Sequence, residues 1–116
     1  MNPLAFYTER PSICDDTGYE LATTYWGDYR VAIELGGEQG VKETFENSME
    51  LAKHDKIYGT ELSMVLNWLM FYYHDLGGKE NIKKSLVFEK YWIKWHNWVI
   101  HHWKGEDLTY YLRTVD

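Results

Sequence analysis

Cysteine occurs once in the chain, at Cys14, so neither an intramolecular disulfide nor a thiolate cage for zinc can form. A reducing setting follows. Both prolines, Pro3 and Pro11, fall within residues 1–17, which have few periodic apolar positions and read as an irregular arm. No stretch approaches the roughly eighteen consecutive apolar residues of a membrane helix, and "MNPLAFYTERPSICDD" lacks the basic start and apolar run of a signal peptide. The expectation is a protein without membrane contact, in the cytoplasm. Catalytic signatures are missing too: there is no Gly-x-Ser-x-Gly elbow, no glycine-rich phosphate loop following a strand, and no Glu-x-x-His motif on paired helices. These absences point away from an enzyme and from a bound metal or cofactor.

What is present in excess is aromatic. The 116 residues suit one domain, yet six Trp, ten Tyr and four Phe exceed what a minimal core needs. Charge is segregated as well. The net charge is -6, but residues 1–78 carry five basic and thirteen acidic side chains, whereas residues 79–104 carry six lysines and two glutamates. The most aromatic segment, "KYWIKWHNWVIHHW" at 90–103, is therefore also the basic one.

Periodicity predicts an all-helical domain. "GYELATTYW" at 18–26 alternates as a short strand would, but a strand without a partner is a poor candidate. "GDYRVAIELGG" has Asp28 as a natural N-cap and Gly36 or Gly37 as a stop, predicting about two helical turns. "GGEQG" at 36–40 reads as a helix stop followed by a new start. Val41, Phe45, Met49 and Ala52 then predict an amphipathic helix over 38–53. Its Glu43, Glu46 and Glu50 lie on another face, either as a solvated ridge or as an acidic contact surface.

Thr60 is the candidate N-cap of a helix over 60–76, apolar nearly all round and so expected at the centre, with Asn67 as a hydrogen-bonded core amide. "LGGK" breaks it, and a second long helix is predicted over 80–103. So short a connection makes the two antiparallel neighbours in a small bundle. "EDLTYYLR" near the end predicts one more short helix docking Leu108, Tyr111 and Leu112.

On the helix at 80–103, Phe88, Tyr91, Trp92, Trp95, Trp98, Val99, His102 and Trp103 share a face, which Ile93, His96 and Ile100 widen beyond half the circumference. Lys90, Lys94, Asn97, His101 and Lys104 form the polar strip. An arc that wide is either seated in a groove between two neighbours or partly kept for a partner, since Trp and Tyr dominate interface hot spots. His102 falls in the apolar arc as a core histidine, and His101 in the solvent strip. No two of the three histidines stand four apart, so they do not form a helical metal pair. Aromatics among lysines also suit single-stranded nucleic acid, but the acidic remainder of the chain opposes a phosphate backbone.

Three stretches, "TTYWGDYRVA" (23–32), "YGTELSMVLNW" (58–68) and "KGEDLTYYLRTVD" (104–116), resemble a group of small proteins encoded in phages and mobile elements of Gram-positive bacteria. In these a Trp-x-Asp-aromatic segment precedes a helix, a Thr-Glu-Leu to Val-Leu-Asn-Trp helix follows, and a Gly-Glu-acidic-Leu ending closes the chain. The resemblance spans most of residues 20–116. This chain departs from the pattern at 81–103, where the group is more polar. The resemblance implies a cytoplasmic counter-defence protein in a bacterial host. It would be a non-enzymatic steric inhibitor of the anti-CRISPR type, directed at a host defence protein or ribonucleoprotein nuclease. The missing catalytic chemistry, split charge and surplus aromatics, rather than the resemblance, give its expected contacts: Lys90, Trp92, Lys94, Trp95, Trp98 and His101, or the acidic set Glu43, Glu46 and Glu50. A nucleic-acid-binding accessory protein and a homo-oligomeric structural protein, a homodimer for example, are the alternatives.

Overall fold

In a computed structural model the described residues, 16–54 and 56–103, form three helices and no strand: α1 (Asp16–His54), α2 (Lys56–Leu76) and α3 (Lys79–His102). The all-α class is as expected. The arm, with Cys14, and the predicted helix at 106–113 lie outside the described residues, except that Asp16 and Thr17 begin α1 and so leave the arm. Among the described residues, no helix is long and apolar enough to cross a membrane.

α1 is two helical arms joined at Gly37, whose φ of 58° and ψ of -147° break the helix. Glycine adopts that conformation at little steric cost. Three residues on, a Cβ at Gly40 would sit 2.5 Å from the Ala32 carbonyl oxygen. The second arm therefore begins in backbone contact with the first. It then runs back along it, so that Tyr25, Asp28 and Ala32 face Leu51, Ser48 and Thr44. "GGEQG" is thus the stop and restart that its composition suggests, tightened into a corner.

Residues 18–26, where alternation offered only an unpartnered strand, are helical, and Asp28 lies inside the first arm rather than capping a shorter helix. Spacing of three and four explains both: Tyr25, Trp26, Tyr29 and Ile33 form one helical face, 0–8% exposed, and its burial outweighs a short alternation further upstream.

α2 begins a turn before Thr60, which is therefore interior to the helix. From Glu61 to Leu69 every residue is buried, so this half of α2 is the central element. Further along, Phe71 is 48% exposed and the all-round burial ends. Asn67 is buried as expected.

Gly77 and Gly78, with φ of 72° and 85°, make the turn into α3, and Asn81 Nδ2 donates to the Gly77 carbonyl at 2.9 Å. α2 and α3 are antiparallel: Ser85 Oγ donates to the Met70 carbonyl at 2.9 Å, while Ser63 and His96 meet at 2.8 Å near the other end. The buried face of α3 is Ser85, Phe88, Tyr91, Trp95 and Val99, at spacings of three and four. Tyr73 stacks on Phe88 at 5.7 Å, and Tyr29 meets the same ring edge-on at 6.1 Å, so all three helices share one aromatic centre. Gly59 lets α3 approach closely, because a Cβ there would lie 2.8 Å from Trp95 Cζ2.

Candidate interaction site

The expected contact residues of α3 divide by depth. Trp95 is fully buried and belongs to the core, so it offers a partner nothing. Trp92 is half-buried, its ring centroid 4.1 Å from that of His96. Trp98 is half-buried and stacks on Trp95 at 5.3 Å from one side and on His102 at 4.4 Å from the other. His101 is exposed, with Nδ1 2.7 Å from the Asn97 carbonyl. The wide apolar arc is narrower in fact, since Ile93 and Ile100 are 43% and 47% exposed on the side away from the core.

His102 is exposed, not a core histidine. It is the last residue of α3, where the stripe continues past the neighbours that cover it, and its ring spends itself on Trp98 instead.

The charge segregation has an internal use. Lys90 Nζ donates to Glu38 Oε1 at 2.6 Å and Lys84 Nζ to Glu34 Oε1 at 2.9 Å. Those bonds raise the Lys90 pKa and lower that of Glu34. Basic α3 and acidic α1 thus pair across their common seam, and Lys90 is held within the fold rather than set aside for a partner. Glu43, Glu46 and Glu50 are all exposed, and each has a local companion: Gln39 at 3.1 Å, Lys42 at 3.3 Å and Lys53 at 3.0 Å.

Among the described residues Lys94 forms no ion pair. Its ammonium lies 5.6 Å from the centre of the Tyr91 ring, at the edge of a groove between the second arm of α1 and α3. That groove, of about 370 Å³, brings together Phe45, Met49, Tyr91 and Trp98 as apolar lining and Lys42, Glu46 and Lys94 as polar lining. Lys53 stands 5.7 Å from the Trp98 ring. Of the nine expected contacts, the groove therefore unites Glu46, Lys94 and Trp98. Phe45 and Met49 were legible as the core stripe of their helix; Phe45 is buried, and only Met49 is partly exposed.

One polar pair was not anticipated. His96 Nε2 lies 2.8 Å from Ser63 Oγ, and burial pushes the imidazole pKa down to about 4, so the ring is neutral near pH 7. Ser63 is 0% exposed, which bars a substrate from its hydroxyl; the pair ties α2 to α3. No group of three His, Cys, Asp or Glu side chains able to hold a metal ion is found among the described residues.

No protein-family model, curated protein or solved structure matches the chain.

Proposed function

We propose that this protein is a non-enzymatic binding protein that acts as a counter-defence inhibitor of the anti-CRISPR type, occupying a surface of a host defence protein and blocking it sterically. The observation that carries the reading is the groove between α1 and α3. A half-buried Trp98 and Met49, beside the buried rings of Tyr91 and Phe45, are framed there by lysines and a glutamate, an apolar patch with a polar rim such as interface hot spots have. The resemblance of three stretches to phage and mobile-element proteins supplies the class of partner. The nucleic-acid reading draws on the Trp98 and His102 stack, but two α3 lysines that would track phosphates are engaged by Glu34 and Glu38.

Affinity capture from a lysate of defence-competent bacteria tests the reading, with Lys94→Glu and Trp98→Ala as paired variants and circular dichroism as the check on folding. The expected outcome is recovery of a defence nuclease or its complex by the native chain, and about tenfold less or none by folded Lys94→Glu. Equal recovery by both variants, or recovery of nucleic acid alone, overturns it.

A further inference from the structure

A second concave surface lies between the two arms of α1, away from the α1–α3 groove. We propose that this cleft is a docking site for a basic, apolar helical segment of a protein partner. The inference is independent of the groove and of the class of protein named above.

The cleft is shaped by the corner at "GGEQG". Gly37 reverses the chain and Gly40 seats the second arm against the Ala32 backbone, so the opening between the arms is fixed by main-chain contact before any partner arrives. Preorganisation of this kind lowers the entropic cost of binding. The cavity measures about 400 Å³ and runs from Tyr25 to Ala32 on one arm, facing Thr44 to Leu51 on the other. Seven residues of helix rise about 10 Å, or roughly two turns, a length suited to a helical segment presenting apolar anchors three or four residues apart.

Its chemistry selects the sign of the occupant. Val31 and Leu51 line the cleft and are 58% and 47% exposed, a large apolar exposure for two facing positions. Leu35, one turn beyond Val31, is 85% exposed. No lysine, arginine or histidine lines the cleft, and Asp28, which does, has no ion pair among the described residues. Four glutamates of α1 differ, Glu34, Glu38, Glu46 and Glu50 each being matched by a lysine, while Glu43 accepts from Gln39. Tyr25 lines the same cleft but is only 5% exposed, its hydroxyl buried, so Asp28 is the charged group the cleft presents. A carboxylate without a counter-ion between two apolar edges complements a lysine or arginine flanked by leucine-like side chains.

The test uses the full chain, labelled with nitrogen-15, titrated with a short amphipathic helical peptide of leucine and lysine alone, and separately with its leucine and glutamate counterpart. Amide shifts confined to residues 25–32 and 44–51 are expected with the lysine peptide and not with the glutamate peptide. Asp28→Lys, at an exposed position that leaves the fold intact, should weaken binding about tenfold, and Val31→Lys with Leu51→Lys should abolish it. Lys94→Glu should leave it unchanged, which separates this site from the groove. Absence of binding, shifts centred on the groove, equal binding of the glutamate peptide, or indifference to Asp28→Lys overturns the proposal.

Discussion

His96 illustrates how burying one imidazole can make stability depend on pH. The imidazole has a folded-state pKa of about 4 against an ordinary value near 6.5, so between those values the unfolded chain binds the proton that the folded chain refuses. The linkage sign follows: the His96 contribution is full above about pH 6.5, falls as the pH drops toward 4, and is flat below. That difference corresponds to about 3 kcal/mol, which partial solvent access of the ring reduces to about 1–2 kcal/mol. Urea denaturation of the native chain and of His96→Gln across pH 4–7 should show a shallower acid slope in the variant by about that amount. Parallel slopes would place the acid sensitivity elsewhere. The contact of His96 with Ser63 was not legible beforehand, because the two residues are far apart in sequence and each sits among apolar residues that explain its burial without the other.

Between elements, the closest approach is Gly59 of α2 under Trp95 of α3. A methyl group at position 59 would stand 2.8 Å from one carbon of the Trp95 ring and 3.2 Å from Trp103, and Trp95 is fully buried with little room to retreat. Gly59→Ala normally favours a helix through propensity, yet here overpacking should prevail and destabilise the protein by about 1–3 kcal/mol, measurable as a lowered thermal midpoint. A raised midpoint would mean that the two helices stand further apart than described. The helices themselves were largely readable. Spacings of three and four revealed the second arm of α1, α2 and α3, and the double glycines revealed both turns. The first arm was not legible at Tyr19, Leu21 and Thr23, where a few residues fit a period of two as well as they fit one of 3.6. What could not be read is how much of a stripe its neighbours cover: Trp95 and His102 share a face by angle, but one is core and the other is exposed.

For the molecule as a whole, the uneven charge along the chain is a folding device before it is a recognition device. Glu34 with Lys84 and Glu38 with Lys90 join α1 to α3 across about fifty positions of sequence. Such exposed pairs are individually weak, but they fix which way the basic helix faces. Lys84→Glu alone should lower the thermal midpoint, and adding Glu34→Lys should recover much of the loss; a double variant no better than the sum of its two singles would deny the coupling. Sequence reasoning located the basic stretch and the acidic one correctly but assigned both to a partner, because pairing between distant residues has no signature in local composition. The same limit applies to the candidate site. Glu46, Lys94 and Trp98 were each visible as residues of interest, and only the packing of the second arm of α1 against α3 places them around one groove.

The stacked rings at the end of α3 have a consequence in optical terms. Trp98 lies between Trp95 and His102, with Trp103 edge-on at 5.4 Å, and it also lines the groove. Its excited state is therefore coupled to a second indole and to an imidazole. Anything that settles on Trp98 changes that coupling, so the chain carries its own fluorophore at the surface where binding is proposed.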